Sequence, residues 1–268
     1  MGAHEFFVEE GYWLARGLFS EEEVMEMRTH YERMNEDKRG ELDVELGAGD
    51  PLGVYPRIMM PHRFDEFSLR FLIDPRLDGV MTEILGASPV AVQTMFYFKP
   101  PGARGQALHQ DNFYLLAKPG TCVGAWLAVD DCDEENGCLQ VVPGSQDLPV
   151  LCTIEADTSV SFTDVTVPIP PGMSVLIVPM KAGDVLFFNG SLIHGSLPNV
   201  SSDRFRRCLI GHYVTADATE VSKWYHPCLR MDGSVVELEA AEGGGVCGTF
   251  VAGELEMVSV GKLGEGNH

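Results

Sequence analysis

The chain has 268 residues, 45% of them hydrophobic, and a formal net charge of −21. That length and apolar content suffice for one sheet-rich domain with a sizeable core, while so acidic a surface repels nucleic acid and no basic cluster offsets it. No apolar run approaches the roughly 18 residues of a membrane span, so neither nucleic acid nor membrane is an expected partner, and a monomer or homodimer is expected.

The opening MGAHEFFVEEGYW has neither a basic start nor a long apolar core. No secretory signal is expected, and the cytoplasm is the expected compartment. Ser20 opens the first clear helix. Glu23 completes a capping box, Phe19 can staple onto Val24, and Val24, Met27, Tyr31 and Met34 give one apolar stripe that ends near Glu36. Residues 36–53, acidic and glycine-rich without periodicity, read as a loop, either a lid over a site or an ordinary surface loop. A second helix starts at Asp74-Pro75 and stops at Gly86.

Strands are expected at 90–98, 122–130, 138–142, 174–179, 184–189 and 207–214, with a further edge strand at 248–251. Asn136-Gly137 reads as the turn of a hairpin between two of them, and Pro143-Gly144-Ser145 ends another. Helices first and strands afterward indicate a mainly β fold with flanking helices, a double-stranded β-helix (jelly roll, cupin-like). One domain, 1–268, is expected: a helical part over 1–88, the jelly-roll core over 89–215 and an extension over 216–268.

Cys122, Cys132, Cys138, Cys152, Cys208, Cys228 and Cys247 form no CxxC pair. An odd, scattered count favours reduced, buried thiols. Bonding of Cys132 to Cys138 across the Asn136-Gly137 turn is conceivable but not expected.

The chemistry concentrates in LHQDNF and FFNGSLIHGS, where His109, Asp111 and His194 stand at strand ends. Two imidazoles and one carboxylate can occupy one face of a ferrous ion and leave the other face open. Alternation along a strand turns His109 and Asp111 one way and Gln110 the other. His4, His30, His62, His212, His226 and His268 lack a comparable setting. Tyr97, Phe113, Tyr114 and Trp224, in the segment Trp224-Tyr225-His226, flank or follow these strands as candidates for an aromatic substrate pocket, although core packing is the commoner fate of such residues.

The run HQDNFYLLAKPGTCVGAWLAVDDCDEENGCLQVVPGSQ, followed by AGDVLFFNGSLIHGSLPNVSSDRFRRCLIGHY, resembles the phytanoyl-CoA dioxygenase family of iron(II)- and 2-oxoglutarate-dependent oxygenases. The resemblance covers residues 93–213. It implies that His109, Asp111 and His194 bind iron(II), and that Arg206 pairs with the far carboxylate of 2-oxoglutarate, a role suited to a planar, permanently charged guanidinium. The segment carries one residue more between His194 and Arg206 than the family spacing, which leaves Arg204 and Arg207 as alternatives; alternation puts Arg207 on the surface side.

The resemblance further places Trp126, Ser196, Met95, Gln93 and Arg57 at the cosubstrate, each with core packing or a surface ion pair as the competing role. The implied activity, with O2 as co-reactant, is oxidation of a C–H bond of a small metabolite or natural-product intermediate, hydroxylation by default, with release of succinate and CO2. Asp111 argues against a halogenase, since a Gly or Ala there would be needed to admit a halide. The negative charge favours a neutral or cationic substrate over a thioester of coenzyme A, although acidity that serves only solubility would look the same. Two other classes stay open: a cupin-like metalloenzyme that does not use 2-oxoglutarate, and a noncatalytic metal- or ligand-binding protein on the same scaffold.

Overall fold

The computed structural model of the protein describes residues 2–37, 51–241 and 245–260. Residues 38–50, most of the expected loop or lid at 36–53, lie outside the described residues.

Local chemistry sets the helix ends. The Ser20 hydroxyl accepts from the Glu23 amide at 3.2 Å, and the Glu23 carboxylate accepts from the Ser20 amide at 2.8 Å. This reciprocal cap starts the helix Glu21–Asp37, whose Val24, Met27, Tyr31 and Met34 are buried as expected. Asp74 caps Pro75–Leu85 by accepting from the Arg76 amide at 2.8 Å, and Gly86 ends it with φ of 82°. The helices Ala3–Glu10 and Glu66–Leu72 go beyond the sequence expectation, being only about two turns long and so too short to establish a period.

The major sheet runs, in spatial order, Tyr12–Ala15, Val185–Asn189, Cys122–Ala128, Cys208–Val214, Val90–Tyr97, Cys228–Arg230 and Val235–Val236. Ile58–Met59 also pairs with Val90–Tyr97, and every pairing is antiparallel. The minor sheet, also antiparallel, runs Gln106–His109, His194–Ser196, Leu139–Val141, Leu176–Val178.

Alternation sorts the side chains of the major sheet between two layers. Trp126, Leu186, Phe188 and Ile210 pack with Leu139, Val141 and Val178 of the minor sheet, so the inner core lies between the sheets. Leu127, Phe187, Leu209 and Tyr213 face outward and pack with Phe7, Tyr31 and Leu77 of the helices; the Tyr31 and Phe96 rings stack at 4.0 Å between centroids. Cys122–Ala128 and Cys208–Val214 are therefore buried along their whole length, which is why they read as unbroken apolar runs. Each fully buried large apolar side chain contributes roughly 1.5–3 kcal/mol. The helices are thus an integral layer of a jelly roll.

Three expectations need correction. Asn136-Gly137 does not close a hairpin, because Cys122–Ala128 and Leu139–Val141 belong to different sheets and the turn carries the chain from one to the other. The strand around 248–251, Gly245–Val251, pairs with Glu254–Val260 in a two-stranded sheet of its own rather than at an edge of the sandwich. Cys152 and Cys247 are joined by a disulfide, against the expectation of reduced thiols throughout. They lie 95 positions apart, and spacing carries no signal for a pairing at that range. The other five cysteines are free and buried.

Candidate metal centre

His109 ends the strand Gln106–His109, His194 begins His194–Ser196, and the two are directly paired across the minor sheet with ring centroids 4.3 Å apart. Asp111 does not continue the strand. It has helical backbone angles (φ −63°, ψ −32°) and leads into the one-turn helix Asn112–Leu115. The chain turn, rather than strand alternation, swings its carboxylate back beside His109. Asp111 Oδ1 lies 3.4 Å from His109 Nε2 and 3.6 Å from His194 Nε2, and one ligand atom from each residue falls within 4.8 Å of the others.

Backbone carbonyls fix both imidazoles. His109 Nδ1 donates to the Ala107 carbonyl at 2.8 Å and His194 Nδ1 to that of Leu192 at 2.9 Å, which makes each Nε2 the lone-pair nitrogen that could bind an ion, with the Gln106 amide standing at that of His109. Gln106 Nε2 lies 3.1 Å from His109 Nε2. Burial, only partly offset by the Asp111 carboxylate, pushes the pKa of His194 down to about 4, so its ring is neutral, the state a ligand needs. Burial disfavours the charge on Asp111, but the surrounding His194, His212 and His109 rings together hold its carboxyl well below the usual range. Gln110 turns away, as alternation predicts. Its side chain donates to the Pro149 and Ser191 carbonyls at 3.2 and 2.8 Å and accepts from the Leu151 amide at 2.7 Å.

The same interior, at Trp126, also holds a buried cation. Arg206 is 2% exposed; Nε donates to the Gly137 carbonyl at 3.1 Å, one terminal nitrogen to Cys208 Sγ at 3.0 Å, and the guanidinium lies 5.3 Å from the centre of the Trp126 ring. No acidic side chain pairs with it among the described residues. Gly137 has φ of 86°, and a Cβ there would come within 2.5 Å of the Leu197 carbonyl oxygen, so glycine is needed for this approach. The alternatives to Arg206 face elsewhere. Arg204 pairs with Asp133 and Glu135, while Arg207, less exposed than expected, pairs with Asp130 and Glu32.

The remaining candidates divide. Trp126, Met95 and Ser196 are buried on the inner side; Met95 Sδ accepts from the Tyr97 hydroxyl, and Ser196 Oγ accepts from Lys99 Nζ at 2.8 Å and the Gln106 amide at 3.2 Å. Arg57 is half-buried, its guanidinium 5.0 Å from the Phe162 ring centre and 5.8 Å from that of Tyr97. Phe113 and Tyr114 line a narrow cavity against His109 with Leu108, Leu151 and Val165. Gln93 is buried and hydrogen-bonded to His212 at 3.1 Å. Trp224 is 59% exposed, with Lys223 Nζ 5.1 Å from its ring, and Tyr225 takes the buried position instead.

Two residues were invisible to motif reading. Lys99 is 3% exposed, donates to Ser196 and to the Leu197 carbonyl, and exchanges backbone hydrogen bonds with Arg206. Burial, reinforced by the Arg206 charge, pushes its pKa well below the usual lysine value. The other is His212, whose Nε2 lies 2.8 Å from Asp111 Oδ2. Its only sequence signal is register, since it shares the inward face of its strand with Ile210.

The pattern of the Phytanoyl-CoA dioxygenase (PhyH) family matches residues 7–208. Phytanoyl-CoA dioxygenase 1 of Oryza sativa subsp. japonica is 30% identical over 163 residues, 60% of this chain and 58% of that protein. Phytanoyl-CoA dioxygenase of Arabidopsis thaliana is 31% identical over 164 residues, 60% and 57% of the two chains. The chain thus matches little more than half the length of these curated relatives. Among solved structures, the non-heme alpha ketoglutarate dependent carbocyclase SnoK from nogalamycin biosynthesis aligns at 26% identity with a TM-score of 0.65, covering 81% of this chain and 84% of that one. The epimerase SnoN, solved with Fe3+, alpha ketoglutarate and nogalamycin RO, shares the fold at 23% identity, TM-score 0.67 and the same coverage. No helix among the described residues is long and apolar enough to cross a membrane.

Proposed function

Because this chain belongs to the phytanoyl-CoA dioxygenase family, we propose that it is an iron(II)- and 2-oxoglutarate-dependent dioxygenase that hydroxylates a C–H bond of a small metabolite or natural-product intermediate. The observation that carries the reading is the buried Arg206 guanidinium, without an acidic partner among the described residues, in the same interior as a His-Asp-His cluster of metal-binding geometry. A cation buried without a counter-charge is costly. A dicarboxylate cosubstrate would supply that charge.

His109, Asp111 and His194 would hold iron(II); their two nitrogens and one oxygen suit that ion and leave positions for further ligands. Iron with 2-oxoglutarate and O2 supplies an oxidant able to take hydrogen from a C–H bond, with succinate and CO2 as co-products. The protein's share is placement. Arg206 binds the far carboxylate of the cosubstrate while Trp126 packs under the guanidinium. Lys99 and Ser196 supply further donors beside it. Phe113 and Tyr114 would place aromatic rings beside His109, that of Tyr114 6.4 Å away between ring centroids.

The similarity to SnoK, a carbocyclase from nogalamycin biosynthesis, supports a small organic substrate and a tailoring role. The charge of −21 favours a neutral or cationic one. The chain acts as one functional unit over 1–268, as a monomer or homodimer in the cytoplasm. The test is anaerobic loading with iron(II) and 2-oxoglutarate, then exposure to O2 with a panel of metabolites. Succinate above the substrate-free background is expected, and succinate independent of loaded iron would overturn the reading.

A further inference from the structure

We propose that His212 is a positioning residue for the metal site, holding the Asp111 carboxylate so that only Oδ1 faces the ion. The inference rests on the reading of His109, Asp111 and His194 as metal ligands, and it extends that set to a residue on the major sheet.

Asp111 sits on a turn after its strand, so the backbone alone leaves the carboxylate free to rotate about χ2. Its two oxygens have different surroundings. Oδ1 faces the Nε2 atoms of His109 and His194 at 3.4 and 3.6 Å, whereas Oδ2 accepts from His212 Nε2 at 2.8 Å. The His212 ring is itself fixed at its other end, where Nδ1 lies 3.1 Å from the Gln93 side-chain amide. Gln93 and His212 are directly opposite each other on adjacent strands of the major sheet, at the point where a β-bulge shifts the register. A side chain anchored in this way has its orientation set by the sheet.

Gln93, His212 and Asp111 are 4%, 3% and 6% exposed, so water does not compete for these hydrogen bonds. The chain Gln93–His212–Asp111 therefore couples two interior strands of the major sheet to the one ligand that lies off the sheets. An oxygen turned to His212 would be withheld from the ion, so Asp111 would offer it a single ligand atom, Oδ1. With His212 neutral and donating from Nε2, its Nδ1 is an acceptor and is met by the NH2 end of the Gln93 amide.

The experiment titrates Co(II), followed by its visible absorption, and Fe(II) under anaerobic conditions into the folded protein and its variants, each checked by thermal melting. His212→Leu is expected to bind both metals roughly 10- to 100-fold more weakly, the usual effect of losing the partner of a ligand. His212→Gln places an amide N–H where the imidazole N–H stood and is expected to restore most of that affinity with a parent-like Co(II) spectrum. Parent-like affinity in a folded His212→Leu, or equal losses in the Leu and Gln variants, would overturn the assignment. Should His212→Leu not fold, Gln93→Leu decides: weaker binding with the fold retained supports the relay, and unchanged binding refutes it. A parent protein that takes up neither metal would overturn the ligand reading itself.

Discussion

Gln110 accepts a hydrogen bond from the Leu151 amide at 2.7 Å, and so ties the backbone between two candidate ligands to the segment that carries the disulfide. The Gln110 side-chain nitrogen donates to the Pro149 and Ser191 carbonyls, and Ser191 lies three residues before His194. One buried side chain thereby joins both ligand-bearing segments. Gln110→Leu leaves the Leu151 amide and two carbonyls without this partner, at a cost of about 1–3 kcal/mol for each group left unsatisfied. A lower melting temperature is expected together with weaker Fe(II) binding. A variant that melts like the parent would show that the amide is not holding these segments.

Arg206→Leu keeps side-chain bulk and removes the charge. Charge-assisted hydrogen bonds are worth about 1.5–3 kcal/mol, so the KM for 2-oxoglutarate is expected to rise roughly 10- to 150-fold with Fe(II) affinity unchanged. Steady-state succinate assays and metal titration separate the two. Loss of iron binding in this variant would place Arg206 in the metal site instead.

His109→Ala takes away one of the three atoms that face each other within 4.8 Å. Iron content after loading and succinate formation should both fall to background. Parent-like values of either would remove His109 from the ligand set.

His62 is 7% exposed, lies 2.8 Å from Thr94 Oγ1 through Nδ1, and has its pKa lowered to about 4, first by burial and then by the Arg63 charge. The unfolded chain takes up a proton near pH 6.5 that the folded form refuses, so stability is lost as pH falls from 6.5 toward 4. The contribution is on the order of 3 kcal/mol once both forms are protonated. Denaturant midpoints measured from pH 7 to 4 should fall less steeply for His62→Gln than for the parent. Parallel profiles would contradict this.

The Cys152–Cys247 bond closes a loop across 95 positions, for which the chain-entropy ceiling is about 4–5 kcal/mol and typical values are about 2–4 kcal/mol. Cys152→Ser, or treatment of the parent with a thiol reductant, is expected to lower the melting temperature by several degrees. No change on reduction would mean that the hairpin 245–260 adds little to the fold.

The two long helices and the central strands were legible because their signals are local: caps at Ser20 and Asp74, and apolar runs bounded by turns. Sheet membership was not, since Cys122–Ala128 and Leu139–Val141 look like hairpin partners in sequence yet lie in different layers. The three candidate ligands could be named from type and context, although Asp111 reaches its place by a turn rather than by alternation. His212 and Lys99 escaped because each acts through a partner distant in sequence, Asp111 101 positions away for one and Ser196 97 positions away for the other. The disulfide escaped for the same reason.

The candidate ion site lies between two unlike supports. Behind the major sheet stand the helices, with Tyr31 and Tyr213 wholly buried among them. Behind the minor sheet, Ile193 packs instead against Val142, Leu151 and Val167 of the long connection, with Phe250 from the stapled hairpin leaning on it. Hydrogen–deuterium exchange should therefore be slow at one support and fast at the other. Edits to that connection should spare Pro149 and Leu151, which hold Gln110 in place between His109 and Asp111.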